Sequence, residues 1–420
     1  MRITKKDQPI TIVVVGAGHR SDQYLEAINK FYPGKTKVVA IFEPNPRRIE
    51  LFKQKYQVEK VYPEGYTAFL EINKRIADIV IIGTNDDMHY LPAKHALLLG
   101  YDILLEKPIC QQLDQVLELK DLQKPNQFVA VCHVLRHSPF FVKIKEIIDS
   151  KVIGNIVNIQ HNENIGFFHF AHSYVRGNWR NHEVAAPLII AKSCHDLDIL
   201  LFLTGKRCVR LSSFGALSFF KHENYDEKTM AKLCPDCPRQ NTCPYSAMRI
   251  YGAGAFDWFD LPHHTPELLA QALRQSPYGR CVFASDNDVV DHQVTIIEFT
   301  DGVTATFNLS AFTSHITRTL KIMGEYGEIR ANSDFREIEV KVFGEPDRIV
   351  KVETDFVGGH DGADEAMMTN FMEAYLNDRP FATTLKESIE SHVMGFKAEE
   401  SRLNNGEVRE ILTVMENQNK

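Results

Sequence analysis

TIVVVGAGHRSDQY, residues 11–24, runs from an apolar strand through two glycines into a polar stretch where a helix should begin. Gly16 permits the tight turn at the strand end, and Gly18 lets the backbone approach a pyrophosphate, whose charge suits a helix N-terminus. A serine stands where the third glycine of the G-x-G-x-x-G pattern would be, and it is small enough for close packing. The stretch predicts a dinucleotide-binding loop, with His19 and Arg20 beside the ligand.

The second predicted strand, KVVAIFE, supports the same interpretation. It ends at Glu43, 25 residues after Gly18, where a carboxylate binds the ribose hydroxyls of the adenosine half. An ion pair with a nearby Lys or Arg is the alternative role. A carboxylate there repels a 2′-phosphate and favours NAD, whereas Arg47 and Arg48 are near enough in sequence to leave NADP open.

The periodicity changes along the chain. From Thr11 to about Val131, short apolar strands alternate with helical stretches, a pattern typical of a doubly wound parallel sheet. From about Gly154 the strands are longer and alternate at period two, which indicates an α+β unit with a large, mostly antiparallel, open-faced sheet. We predict a dinucleotide-binding domain over residues 1–133 and an α+β domain over 134–420. An irregular cysteine-containing insertion covers about 221–279.

Composition excludes several classes of protein. With 44% hydrophobic and 25% charged residues, the chain is typical of an ordinary globular protein. A net charge of -7 and no basic cluster argue against nucleic acid or an anionic membrane as partner. The N-terminus shows no secretory signal pattern, and eight cysteines are too few for a disulfide scaffold. We expect a cytoplasmic protein with free thiols.

Two further strand ends carry polar residues. One strand ends in a Gly-Thr-Asn-Asp run that contains Thr84 and Asn85, and the next, LLEKPI, ends in Glu106 and Lys107. Ligands of open parallel sheets bind at the carboxyl ends of the strands, so nicotinamide and ribose contacts are expected here. Turn formation is the other interpretation of the Asn-Asp pair.

Several motifs, taken in order, resemble the glucose-fructose oxidoreductase / inositol dehydrogenase (Gfo/Idh/MocA) family. They are VVVGAGHR, the strand IIGTN followed by His89, the EKP tripeptide at Glu106, and a helix reading CHDLDILLFLTG. The resemblance implies a Rossmann domain followed by an α+β domain whose open sheet forms oligomer contacts, in a homodimer or homotetramer. It also implies hydride transfer between the nicotinamide of NAD(P) and a hydroxyl carbon of a sugar, polyol or cyclitol.

The resemblance also implies catalytic roles. Oxidation of an alcohol needs a base for the hydroxyl proton and a positive group for the developing alkoxide. Lys107 matches the family's EKP lysine and is the candidate positive group. His195 matches the helical histidine and is the candidate acid/base. Many members carry Asp four residues earlier, where this chain has Ala191 followed by Lys192, so the proton relay is open.

Other residues are weaker candidates. On a helix, Lys192, His195 and Asp196 share a face, and we hypothesise that Lys192 binds substrate or tunes His195, with a surface ion pair to Asp196 as the alternative. His133 and Arg136 fall near the junction of the domains, where core packing or capping is the alternative to substrate binding. Weaker candidates of the same kind are Trp179, Arg180, Asp286, Asn287 and Asp288.

The run CPDCPRQNTCPY contains Cys234, Cys237 and Cys243, a spacing that can wrap a tetrahedral metal ion. We predict a structural zinc that pins the insertion. Free thiols, an iron-sulfur centre or a redox pair are the alternatives. The fourth ligand is open among Cys281, Cys208, His222, His263 and His264.

Three functions follow from these patterns. The first is an NAD(P)-dependent dehydrogenase acting on CH–OH groups of a carbohydrate or cyclitol. The second is a glycoside hydrolase of the same superfamily that oxidises a sugar transiently. The third is a sensor that binds the dinucleotide without catalysis, and Lys107 with His195 counts against it.

Overall fold

A computed structural model describes residues 8–254, 265–356 and 359–417. Its first domain is built on six short strands: β1 Ile10–Val15, β2 Thr36–Phe42, β3 Lys60–Tyr62, β4 Ile79–Ile82, β5 Asp102–Leu105 and β6 Val129–Val131. The strands are all parallel in the order β3-β2-β1-β4-β5-β6. Every residue of β4 and β5 is buried, as a sheet covered on both faces requires. The predicted doubly wound sheet is confirmed.

Five helices cover this sheet: α1 His19–Phe31, α2 Pro46–Tyr56, α3 Tyr66–Leu70, α4 Tyr90–Leu99 and α5 Leu113–Leu122. Local sequence explains their ends. The Asn45 side chain caps α2 by accepting the Arg47 N–H at 3.0 Å. Gly100, at φ +79°, ends α4 in the left-handed conformation that glycine adopts without strain.

The second domain is built on nine strands: β7 Ile156–Asn164, β8 Cys208–Ala216, β9 His292–Phe299, β10 Thr304–Ser310, β11 Thr317–Gly324, β12 Gly327–Asn332, β13 Glu337–Val342, β14 Arg348–Lys351 and β15 Arg409–Glu410. Their order is β14-β13-β12-β11-β7-β10-β9-β8-β15, and only the β7–β10 pair is parallel. Inward positions are buried and outward positions exposed, so the predicted mostly antiparallel, open-faced sheet is confirmed.

The helices of this domain are α6 Pro139–Asp149, α7 Phe167–Phe170, α8 Leu188–Ala191, α9 Cys194–Thr204, α10 Ala247–Gly252, α11 Pro266–Arg274, α12 Ala363–Asn377, α13 Leu385–Leu403 and α14 Leu412–Asn417. A π-helical turn, Ala171–Arg176, follows α7. Across the described ranges, no helix is both long and apolar enough to cross a bilayer.

One predicted helix is wrong in its bounds. The sequence indicates a single helix from about residue 191 to 203, but α8 ends at Ala191 and α9 begins at Cys194. Lys192 and Ser193 form a turn between the two helices, so Lys192 lies outside α9.

The C-terminal helices join the two domains. Helix α12 packs on α1 of the first domain. The segment between α12 and α13 extends the six-stranded sheet at β6, where Val131 N–H donates to the Thr383 carbonyl at 2.8 Å. The carboxyl edge of the parallel sheet is thereby held against α8 and α9 of the second domain.

Candidate active site

The glycine loop after β1 is closely packed. Gly16 has φ +84°, and a Cβ there would lie 2.7 Å from the Thr84 nitrogen. Gly18 is the N-cap of α1, and no side chain caps the first turn of that helix. Because glycine offers no capping side chain, the helix start can approach a ligand closely, and the loop fits a pyrophosphate group.

A serine completes the glycine pattern. The Ser21 hydroxyl donates to the Gly16 carbonyl at 2.7 Å and lies against Gly83, where a Cβ would be only 2.2 Å from its oxygen. Residue 21 is fully buried between α1 and the strand ends. A small side chain with its own hydrogen bond thus takes the place of the third glycine.

Glu43, at the end of β2, lies behind the same loop. Its carboxylate accepts the Ala17 N–H at 2.9 Å and the Asn45 N–H at 2.8 Å. Only 7% of the residue is exposed. Its negative charge is fixed beside the loop by backbone donors. Within the described ranges it has no Lys or Arg ion-pair partner, which was the alternative role for this carboxylate.

The loops after β4 and β5 are tied together by His89. This ring is buried, its Nδ1 donates to the Pro108 carbonyl at 2.6 Å, and its Nε2 lies 3.1 Å from the Thr84 carbonyl oxygen. Thr84 donates its hydroxyl to the Met88 carbonyl at 2.9 Å, and Asn85 is exposed. His89 therefore supports the two cofactor-side loops, and Asn85 is the member of this group open to a ligand.

Glu106 and Arg20 form the centre of a buried ionic cluster. Arg20 donates to Glu106 at 2.8 Å and to both oxygens of Asp364 on α12, at 2.6 and 3.0 Å. Tyr24 also donates to Glu106. Burial alone would raise the pKa of Glu106, but the charges of Arg20 and Lys107 hold that pKa below its usual value. Glu106 is thus anionic, and Arg20 links the cofactor helix to the second domain.

Lys107 reaches across the domain boundary. Its Nζ donates to the Ala191 carbonyl at 2.8 Å, at the end of α8. The neighbouring carboxyl of Asp86 is buried, accepts the Trp179 indole N–H at 3.2 Å, and has one oxygen without a hydrogen-bond partner. Burial raises the pKa of Asp86 against the opposing charge of Lys107. The hydrogen bond from Trp179 to Asp86 therefore joins the second domain to the loop after β4.

His195 lies in a row of four histidines. Its ring centroid is 5.6 Å from that of His133 and 5.9 Å from that of His360, and His133 is 5.3 Å from His392. His195 is 4% exposed, and its buried Nδ1 has no hydrogen-bond partner in the part of the chain that the structure describes. Burial, followed by the charge of Lys107, holds the pKa of His195 well below its usual range. The ring of His195 is therefore neutral at neutral pH.

The other histidines of the row are also neutral. Both ring nitrogens of His133 are buried without a hydrogen-bond partner, and burial lowers its pKa far below the usual range. His392 accepts the Ile109 N–H at 3.0 Å and donates to the Ser388 carbonyl at 2.8 Å, with its pKa lowered by burial to about 3. His133 therefore packs behind His195, inside the core at the domain junction.

Lys192 faces the inner side of the nine-stranded sheet. Its Nζ is 3.1 Å from Glu163 on β7, and Arg318 on β11 is 2.8 Å from the other oxygen of that carboxylate. Among the described residues, neither Glu163 oxygen meets a partner with hydrogen-bond geometry. Burial lowers the pKa of Lys192 despite the nearby carboxylate. The predicted alternative of a surface ion pair with Asp196 is wrong, because Asp196 is fully buried and Lys192 lies against Glu163.

Asp196 is fully buried in the same network, because Arg318 contacts both Asp196 and Glu163. It accepts the His161 Nε2–H at 2.7 Å and the Arg318 Nε–H at 2.8 Å. Burial alone would raise the pKa of Asp196, but Arg318 and His161 hold it far below its usual value. Its carboxylate is held by His161 and fixes Arg318.

The remaining sequence candidates have protein partners. Arg136 makes a two-point ion pair with Asp198 on α9, at 2.6 and 2.7 Å, and is not presented to a ligand. Arg180 pairs with Asp286, the amide of Asn287 donates to the Phe220 carbonyl, and Asp288 accepts from the backbone N–H of residue 182. These residues hold loops of the second domain together.

Three residues near the candidate site were not identified from sequence. Glu163 and Arg318 lie at inward positions of strands whose other inward residues are mostly apolar. A charged residue at such a position of a period-two pattern is a sequence signal that could have identified both. His360 is in a short turn before α12, at φ +50°, and no local pattern marks it.

The cysteines of the insertion lie apart from this site. Cys234, Cys237 and Cys243 line one small cavity, and Cys281 lines it too. Among the described residues, no three His, Cys, Asp or Glu side chains are already gathered closely enough to hold a metal ion. His222 and Cys208 do not line the cavity, and His263 and His264 lie outside the described residues.

Comparison with known proteins agrees with this fold. A Gfo/Idh/MocA profile described as an oxidoreductase family with an NAD-binding Rossmann fold matches residues 10–133, and the profile of its C-terminal alpha/beta domain matches 145–408. The putative oxidoreductase YteT of Bacillus subtilis is 24% identical over 382 residues, which cover 85% of this chain and 87% of that protein. Inositol 2-dehydrogenase of Corynebacterium glutamicum (strain R) is 25% identical over 213 residues, or 48% of this chain and 56% of that protein.

A solved structure has the same architecture. Levoglucosan dehydrogenase in complex with NADH and L-sorbose superposes with a TM-score of 0.71 at 15% sequence identity. The match covers 96% of this chain and 99% of that one. At this identity the likeness establishes the fold.

Proposed function

This chain belongs to the Gfo/Idh/MocA family of NAD-binding oxidoreductases, and from that premise we propose that it oxidises a hydroxyl carbon of a sugar, polyol or cyclitol, or reduces the corresponding ketone. Relatives named inositol 2-dehydrogenase and levoglucosan dehydrogenase support this substrate class. In the proposal, residues 1–133 hold the dinucleotide, and residues 134–420 bind the substrate and a second subunit.

The cofactor would be held by the carboxyl edge of the parallel sheet. The first turn of α1 would bind the pyrophosphate through its uncapped amides, and Glu43 would bind the adenosine ribose. Thr84, Asn85 and Glu106 border the nicotinamide side. When bound, the nicotinamide supplies the hydride acceptor or donor.

His195 and Lys107 would handle the proton and the negative charge. The neutral imidazole of His195 accepts the hydroxyl proton during oxidation and returns it during reduction. The ammonium of Lys107, held at the boundary by the Ala191 carbonyl, stabilises the developing alkoxide oxygen. The single observation that carries the proposal is the position of His195 at the domain junction, where its buried Nδ1 has no hydrogen-bond partner among the described residues.

Lys192 and Glu163 are the proposed substrate contacts. They form a buried ion pair at the inner face of the sheet. Because the pair lacks hydrogen-bond geometry, the Lys192 ammonium keeps donors and the Glu163 carboxylate keeps an acceptor for the hydroxyls of a polyol. Trp179 would pack over the ring of the substrate, since its indole N–H already donates to Asp86 just after β4. Asp196 and Arg136 would act as positioning residues through Arg318 and Asp198.

Three further expectations accompany the proposal. The fixed charge of Glu43 favours NAD over NADP, although Arg48 contributes to the field at His19 beside the same loop. The exposed face of the second sheet carries adjacent Phe214, Val294 and Ile296, and we propose that it forms the contact of a homodimer or homotetramer. The proposed compartment is the cytoplasm.

The test is a panel of sugars, polyols and cyclitols with NAD and NADP, followed by the absorbance of the reduced nicotinamide. His195→Ala should lower turnover by about 10²–10⁴-fold, the usual contribution of a general acid/base, while the affinity for NADH stays within about twofold. His315→Ala, at an exposed histidine, is the matched control and should leave turnover unchanged. Retained turnover in the first variant would exclude His195, and glycoside cleavage without net NADH formation would exclude the dehydrogenase.

A further inference from the structure

Four cysteines of the second domain surround one small cavity. Cys234, Cys237, Cys243 and Cys281 line a space of about 20 Å³, which is room for a single atom-sized guest. The first, second and fourth of these residues are less than 9% exposed. The cavity lies in the insertion, away from the dinucleotide loop.

Backbone pairing brings the fourth cysteine to the other three. Leu233 and Arg280 form an antiparallel bridge, and Cys281 N–H donates to the Lys232 carbonyl at 2.9 Å. Cys234 directly follows Leu233 and Cys281 directly follows Arg280, so this bridge brings the two cysteines close together. Tight turns hold the others, with the Cys237 N–H donating to the Cys234 carbonyl at 3.2 Å. Sequence spacing leaves the fourth position open, and the fold brings Cys281 to it.

A buried arginine points to negative charge in the cavity wall. Arg176 is fully buried, and it donates to the Arg280 carbonyl at 2.7 Å, the Tyr245 carbonyl at 2.6 Å and the Cys234 sulfur at 3.5 Å. Its Nη1 is buried without a hydrogen-bond partner, and within the described ranges it has no carboxylate in an ion pair. A buried guanidinium requires a compensating anion. Thiolates are the groups here that can supply one.

We propose that these four cysteines bind one zinc ion as tetrahedral thiolates, with Arg176 offsetting part of the resulting negative charge. Each thiol loses its proton to solvent as its sulfur–metal bond forms, and no electron is transferred. Four thiolates on a divalent ion carry a net double negative charge, which the guanidinium halves. The thiols are not yet gathered around a centre, so metal binding includes side-chain rotation that draws them together.

The metal site would stabilise the segment that forms one wall of the active site. Arg176 ends the π-helical turn Ala171–Arg176, and three residues later Trp179 donates to Asp86 at the β4 edge. A metal centre that fixes Arg176 thereby fixes the approach of Trp179 to the first domain. The inference does not depend on which substrate the enzyme takes.

The primary test is elemental analysis of the full chain purified without chelators. The expected result is about one zinc per chain for the unaltered protein. Cys281→Ser should lower the zinc content at least about tenfold, and Cys208→Ser, at a buried cysteine of β8 outside the cavity, should leave it unchanged. Unchanged NADH affinity in both variants confirms that the first domain is folded. An absence of metal, iron in its place, or zinc retained in Cys281→Ser overturns the proposal.

Two measurements stand independently of the folding of that variant. In the unaltered protein under native conditions, a chelator should raise the number of thiols that react with a thiol reagent by about four; an unchanged number contradicts the site. Arg176→Met should weaken zinc affinity in chelator competition by about 10- to 100-fold, the usual effect of a residue that supports metal ligands. An affinity equal to that of the unaltered protein would remove Arg176 from the site.

Discussion

Gly16→Ala tests whether the loop after β1 holds the dinucleotide by close backbone packing. Gly16 adopts φ +84°, where an L-residue costs about 1–2 kcal/mol. The added Cβ would meet the Thr84 nitrogen at 2.7 Å, whereas ordinary contacts of a Cβ begin at 3.4 Å. The loop must therefore move by about 0.7 Å relative to the end of β4.

That displacement moves the amides of α1 away from the pyrophosphate. Since a misplacement of about 1 Å costs roughly 10²-fold in well-ordered sites, we expect NADH affinity to fall about 10- to 100-fold, or about 1.4–2.7 kcal/mol. Gly34→Ala is the matched control, because Gly34 has φ +71° and a Cβ added there would have no neighbouring atom within 4 Å. It should lose a similar strain energy but keep its NADH affinity.

The assay is calorimetric titration with NADH together with urea unfolding of each variant. Gly18→Ala adds a third comparison: its Cβ would make an ordinary 3.4 Å contact without left-handed strain. This variant should keep its stability and lose affinity, because the methyl group takes the space that a phosphate approaches. NADH affinity of Gly16→Ala within about twofold of Gly34→Ala would refute the packing argument.

Three other predictions concern buried charges. Asp364→Asn removes one of the two carboxylate partners of Arg20 and should lower the free energy of unfolding by about 1.5–3 kcal/mol, the usual range for a hydrogen bond to a charged group, because Glu106 still pairs with Arg20. Glu365→Gln, which breaks a more exposed pair between the same helices, should cost less than about 1 kcal/mol in the same urea experiment. His392 has its pKa lowered to about 3, so the unfolded chain binds its proton first and stability falls as pH drops from about 6.5 toward 3. His392→Gln should flatten that fall by about 1.4 kcal/mol per pH unit, and an unchanged slope in pH-dependent unfolding would contradict the assignment. Lys192→Met should raise KM for the best substrate more than it lowers kcat in steady-state kinetics, whereas equal effects would argue for a role in proton transfer.

Much of the first domain could be predicted because its signals are local. The apolar strands, the helix at Pro46–Tyr56 and the glycine loop each depend on residues within a short stretch of chain. Turn geometry at Gly16 and the period of burial follow from contiguous sequence. The order of the family's motifs along the chain also allowed candidate roles to be predicted for Lys107 and His195.

The partners of the site residues depended on the tertiary structure. Arg20 bonds to a carboxylate 344 positions away, and Lys192 pairs with Glu163 on a different element, the strand β7. Cys281 reaches the other thiols through one backbone bridge.

The sequence by itself determined the parallel sheet, its dinucleotide loop and the polar residues at its carboxyl edge, because hydrophobic period and turn chemistry act over a few residues. Only the tertiary structure decided which buried charges meet, which histidines pack behind His195, and which cysteine completes the insertion's cluster. These contacts join distant segments, and a buried polar group takes whichever partner the packing brings within hydrogen-bond distance.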